Sequence, residues 1–210
     1  MASAEITQEN FAALLEDMRA HAKNCIQKEK YELYKPSNHT QDYYDKYSTF
    51  SAESDEPNDS EQKDFNDVVS EIKPLTKDNT KNFVDSAHSD INSITEDYKN
   101  ESKGNEEKAK NDFTNRMNKS REEAKKKAND AIDKAYDTAL KLGKNLPPKV
   151  QGMIVSFMDG IAQGILTIVH EIVNFIANAV DSLVTWIKDA FNTIKKTFQR
   201  IGDFITGLFG

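Results

Sequence analysis

VQGMIVSFMDGIAQGILTIVHEIVNFIANAVDSLVTWIKDAFNTIKKTFQRIGDFITGL, residues 150–208, is the stretch whose reading decides the fold. One apolar residue per turn runs through it: Val150, Ile154, Phe157, Ile161, Ile165, Ile168, Ile172, Ile176, Ala179, Leu183, Ile187, Phe191, Ile194, Phe198, Ile201, Ile205 and Leu208. The mean step of about 3.6 residues is that of an α-helix. Met158, Val169, Val173, Val180, Val184 and Phe204 widen the face, and Trp186 and Phe209 add aromatic rings. Asp159, Gln163, Asn174, Asn178, Asp181, Lys195, Gln199 and Asp203 fall on the opposite side. The apolar face is too broad for a narrow coiled-coil seam. It marks either a membrane-active surface or the core of a self-associating bundle.

Length argues for a bend. A single helix over these residues would extend roughly 90 Å, about three times the hydrocarbon thickness of a bilayer. Gly160/Gly164, the run Asn178-Ala-Val-Asp-Ser182 and Gly202 are the places where a bend could fall, and the Asn178 run is preferred because its side chains compete for backbone hydrogen bonds. Gly160 and Gly164 have the spacing of a close-packing pair or a hinge. A lipid-immersed span is opposed by Asp159 in one candidate window and by His170 and Glu171 in the other.

Working outward, Pro147 and Pro148 separate this segment from a very different one. Residues 1–148 carry 23 basic and 30 acidic side chains, whereas residues 149–210 carry five of each. Within 75–148, Phe83, Ala87, Ile91, Ile94 and Tyr98 keep helical spacing, and Ala109, Phe113, Met117, Ala124, Ala128, Ile132, Ala135, Ala139 and Leu142 resume it. Gly104 interrupts them, which fits either a hairpin of two charged helices turning there or one long helix kinked at that point. Gly143 suits a helix end. The Ala-rich second stripe contributes little burial per residue, making it a weak cover for the apolar segment.

Residues 1–35 read as an N-terminal amphipathic helix, about Thr7 to Tyr34, with Phe11, Leu15, Met18, Ala22 and Ile26 on one face. Thr7 is the expected cap. Residues 36–74 read as a polar, partly disordered linker containing a short helical piece near Asp64–Ile72; removing 38–60 is expected to leave the fold intact. Five of the seven tyrosines cluster at 31, 34, 43, 44 and 47, suiting either an interface or a loop folded back on the helices. Together these segments predict an all-α, elongated helical bundle with a long C-terminal amphipathic helix or hairpin.

Several chemistries fail. Cys25 is the single cysteine and the four histidines, at 21, 39, 88 and 170, are scattered, so no metal centre is expected. His170-Glu171 opens a zinc-protease motif, but position 174 is Asn where the second histidine belongs. No phosphate loop, nucleophile elbow or paired carboxylates are present, and a net charge of -7 disfavours nucleic acid. Asn38, Asn58, Asn100 and Asn118 fit the glycosylation pattern, but the start Met1-Ala-Ser-Ala-Glu5 has no secretory character. The chain is therefore expected to be a non-enzyme without cofactor, metal or small-molecule substrate, cytoplasmic or released without a signal peptide.

The leading expectation is a membrane-active helical protein. Its partner is a lipid bilayer, met peripherally or on induction, with self-association into a pore as the further step. The face assigned to that role is Val150, Ile154, Phe157, Ile161, Ile165, Ile168, Ile172, Ile176, Leu183, Trp186, Ile187, Phe191, Ile194, Phe198, Ile201, Phe204, Ile205, Leu208 and Phe209. Balanced charge over 149–210 predicts weak recruitment by anionic lipid. A structural bundle assembled through the same stripe, and a stress-protective amphipathic protein, are the alternatives.

Overall fold

The computed structural model describes residues 8–38, 40–52 and 56–210. The expected Thr7 cap, His39 and residues 53–55 of the expected linker lie outside them. Among the described residues there are seven helices and no strand: α1 (Gln8–Lys28), α2 (Gln41–Ala52), α3 (Asp59–Glu101), α4 (Glu106–Gly143), α5 (Pro148–Asp181), α6 (Leu183–Trp186) and α7 (Ala190–Phe209). The fold is all-α, with bundle-like packing around a long apolar helix. The chain divides into two compact units. The first combines Met1–Lys77 with Asp130–Leu166, and the second combines Asp78–Asn129 with Thr167–Gly210.

In the first unit, α1 buries Phe11, Leu14, Leu15, Met18, Ala22 and Ile26. Its charged edge is tied to α4: Arg19 Nη2 donates to the Asp133 carbonyl at 2.8 Å, Arg19 also pairs with Asp137, and Lys23 Nζ meets Asp133 at 2.6 Å. The helix stops six residues short of the expected Tyr34. Glu29 adopts φ 54°, the Lys30 amide donates to the Cys25 carbonyl at 3.1 Å and the Glu29 amide to Ile26 at 3.4 Å. That crossed pair is a Schellman stop, usually built with glycine.

The expected linker is corrected most. Residues 41–52 form α2, and α3 begins at Asp59. Asn58 starts α3 with a reciprocal capping box: its Oδ1 accepts from the Glu61 amide and Glu61 Oε2 accepts from the Asn58 amide, both at 3.0 Å. The side chain that fits a glycosylation pattern is thus engaged in starting a helix. Pro74, the last residue of the expected linker, lies inside α3. Its ring occupies the exposed face, and burial of Val68, Ile72 and Phe83 carries the helix through.

The tyrosines pack. Tyr47 is fully buried against Phe11, ring centroids 6.1 Å apart, and Tyr34 stands edge-on to Tyr44 at 5.5 Å. Tyr47 Oη donates at 3.1 Å to Gln151 Oε1, and Gln151 Nε2 donates to the carbonyls of Gly143 and Lys144 at 3.1 and 3.2 Å. One buried amide therefore joins α2, the end of α4 and the start of α5. Gly143 does end α4, but no glycine among the described residues has a positive φ. The reason is space: a Cβ there would lie 2.7 Å from Phe11 Cζ and 3.0 Å from Ile154 Cδ1.

In the second unit, α3 and α4 form an antiparallel hairpin turning at residues 102–105. Tyr98 packs edge-on against Phe113 at 5.4 Å, Asp97 pairs with Arg116 at 2.8 Å, and Lys127 Nζ donates to Ser86 Oγ at 2.6 Å. Asn105 Oδ1 accepts from the Lys108 amide at 3.0 Å and caps α4.

Candidate functional site: the C-terminal helices

Pro148 opens α5, where a missing amide hydrogen costs nothing and the fixed φ suits the first turn. The helix then runs through Gly160 and Gly164. Gly164 is buried, but Gly160 is exposed and a Cβ added there would meet no atom within 4 Å. Within the chain, therefore, nothing packs closely against Gly160. Among the described residues, α5 is the one helix long and apolar enough to cross a membrane, with mean hydropathy 1.6 over its best window; most of that window is buried.

The expected break is present. Helix α5 ends at Asp181, the Ser182 amide still reaches the Asn178 carbonyl at 3.1 Å, and α6 makes one turn. A second break follows at residues 187–189, which sequence reading missed. Asp189 is the N-cap residue of α7, its backbone carbonyl taking the Thr193 amide at 3.0 Å while its Oδ1 accepts from Asn192 Nδ2 at 2.7 Å. An Asp followed three residues later by Asn was the available signal.

In the second unit, α7 folds back on α5. Arg200 Nη2 meets Glu171 Oε2 at 3.2 Å, and the Phe175 and Phe198 rings lie 6.1 Å apart. His88 of α3 stacks on Phe198 at 4.6 Å. Trp186 of α6 sits between Phe113 and Phe175, 5.9 Å from each, half-buried. Its buried Nε1 finds no acceptor among the described residues.

Most of the stripe is interior. Val150, Ile154, Ile161 and Ile165 are buried in the first unit, and Ile168, Ile172, Ile176, Leu183, Ile194, Phe198, Ile201, Ile205 and Phe209 in the second. Phe157, Trp186, Ile187 and Leu208 are half-buried. Phe191, Phe204 and Val184 remain exposed, at 44%, 41% and 63%. Lys99 Nζ lies 4.1 Å above the Phe191 ring.

The polar side of α5 forms one line. Asp159, Gln163, Thr167, His170, Asn174 and Asn178 recur at steps of three and four and are all exposed or half-buried. Along it two pairs join across one turn: Gln163 Nε2 donates to Asp159 Oδ2 at 2.8 Å, and Asn174 Nδ2 reaches the His170 ring at 2.9 Å. Asn174, standing where a second zinc-binding histidine would be needed, thus engages the first. Burial raises the Asp159 pKa, an effect only partly offset by the Gln163 hydrogen bond and by His21. Among the described residues no cluster of His, Cys, Asp or Glu could hold a metal ion.

The site thus comprises one apolar helix with a single polar line, a one-turn connector bearing the only tryptophan, and a shorter amphipathic helix. Compared with protein-family models, curated proteins and solved structures, the chain finds no match.

Proposed function

We propose that the chain is a non-enzymatic, membrane-active helical protein whose helices α5 and α7 transfer from the folded interior to a lipid bilayer. The observation that carries this reading is α5 itself: a helix of membrane-spanning length and apolarity whose polar groups, the buried Gln151 apart, gather on one side, with Glu171 at its border. A lone spanning helix would place Asp159 and Glu171 against lipid at a cost of roughly 3 kcal/mol each. Several copies turning the line inward would wet it instead, which favours an oligomeric pore as the inserted state. Membrane association is accordingly peripheral or induced, since the apolar face is covered in the folded chain.

Assembly of intact folded chains through the stripe, the competing reading, is disfavoured because thirteen of the nineteen assigned positions are already buried. Self-association follows release on the present view. Flotation with liposomes, run beside dye leakage, tests it: the chain should float and leak dye. A disulfide selected between positions 87–99 of α3 and 191–198 of α7, in a Cys25→Ser background, should abolish leakage until reduced. No flotation with any lipid, or full leakage with the disulfide closed, overturns the proposal.

A further inference from the structure

The second break separates charge as well as backbone. Residues 149–210 are neutral as a whole, but α7 carries Lys195, Lys196 and Arg200 against Asp203, Arg200 being paired in the folded chain with Glu171 of α5. At 100° per residue, Lys195, Gln199, Asp203, Lys196 and Arg200 share one arc, opposite Ile194, Phe198, Ile201 and Ile205. The first five are exposed and the last four are buried. The two phenylalanines that remain exposed fall at the two borders of this arc: Phe191 beside Lys195, and Phe204 between Arg200 and Ile201. Lys99 adds a further cation over Phe191.

Cations across a polar face, aromatic rings at both its edges and a fully apolar back describe a helix built for the plane of a bilayer interface. The rings suit the headgroup level and the cations suit phosphate and carboxylate groups. The chain's net charge of -7 sets the sign of the problem. An anionic surface repels the chain as a whole, but screening limits that repulsion to about 10 Å at 0.1 M salt, so a local cationic face still wins at contact.

We infer that α7 is the element that first meets the membrane and that its partner is an anionic phospholipid surface. This rests on the membrane reading above and adds to it the lipid class and the docking helix. Docking uses the exposed arc while the apolar back is still covered; rolling of the helix then brings Phe198, Ile201 and Ile205 into lipid and uncovers the α5 surface beneath.

The test is flotation with vesicles of phosphatidylcholine alone and of phosphatidylcholine with phosphatidylserine in equal parts. The intact chain should partition preferentially to the anionic vesicles, less so as salt rises. Lys195→Gln/Lys196→Gln should reduce partition to them roughly thirty-fold, with circular dichroism and thermal unfolding unchanged. Phe204→Ser should weaken binding without altering the salt dependence. The control Lys110→Gln/Lys126→Gln, at exposed positions of α4, should bind as the parent does. Equal binding to both vesicles overturns the lipid class and leaves the membrane reading standing. Anionic binding untouched by the α7 pair, or lost equally with the α4 pair, overturns the assignment to α7. No binding to either vesicle overturns both readings together.

Discussion

Asp17 gathers three donors on one oxygen: Thr40 Oγ1 at 2.6 Å, Tyr34 Oη at 2.7 Å and the Ser37 amide at 3.2 Å. Burial pushes its pKa up, but the hydrogen bonds from Thr40, Tyr34 and Ser37 outweigh burial and hold it below the ordinary aspartate value. A depressed carboxyl stabilises the fold above its unfolded pKa, near 3.9, and ceases to do so as pH falls through the lower folded value. Asp17→Asn should therefore cost about 1–2 kcal/mol at neutral pH, with the gap to the parent closing only below about pH 4, read from urea titrations across pH. Asp159 has the opposite sign, so its charged form burdens the fold at neutral pH and the burden lifts on acidification. At Glu29, φ 54° places a side chain where glycine is at ease, and Glu29→Gly should raise stability by roughly 1 kcal/mol in the same assay. Of these positions only Asp159 was legible in the sequence, as part of the polar side of α5; Asp17 and Glu29 were not. A carboxylate's partners and a backbone's handedness depend on where a chain stops and turns, which periodicity does not encode.

At the scale of helices, legibility followed the strength of the apolar rhythm. The rhythms of α1, α4 and the C-terminal stripe were plain because their buried residues are aliphatic, Phe or Ala at steps of three and four. Helix α2 was not, because its buried anchor is a tyrosine among polar residues, and tyrosine suits water and core equally. The expectation that residues 38–60 are dispensable reverses accordingly. Tyr47→Ala should cost about 3–5 kcal/mol, and deleting 38–60 should lower the melting temperature sharply on a thermal scan. Proline misled for a related reason: its local penalty is real, but a long buried face outweighs it. Pro74→Ala restores an amide on the exposed side of α3 and should stabilise the chain by up to about 3 kcal/mol. No change in melting temperature would show that the helix is already distorted there for another reason.

For the whole molecule, the sequence announced an amphipathic C-terminal segment but left its surroundings open, since a wet face and a dry face serve a soluble core and a membrane alike. The structure places most of the dry face in the interior. Ile165→Glu or Ile172→Glu, each at a fully buried position, should therefore unfold the soluble chain, while Asn174→Asp on the exposed line should be tolerated; circular dichroism of the three variants decides it. The second break, marked in the sequence only by Asp189, went unread, and with it the separate charge of α7, because net charge summed over 149–210 conceals an uneven distribution. The one-turn connector between the two apolar helices also has an optical consequence. Trp186 is the only indole in the chain, so ultraviolet emission excited at the red edge of absorption reports on α6 alone. In the folded chain, among Phe113 and Phe175, it should emit at intermediate wavelength. Unfolding into water should shift that emission to the red. Transfer of the hairpin into acyl chains should shift it to the blue, and brominated lipid should then quench it. The colour of a single residue thus distinguishes a chain that has lost its fold from one that has exchanged one apolar environment for another.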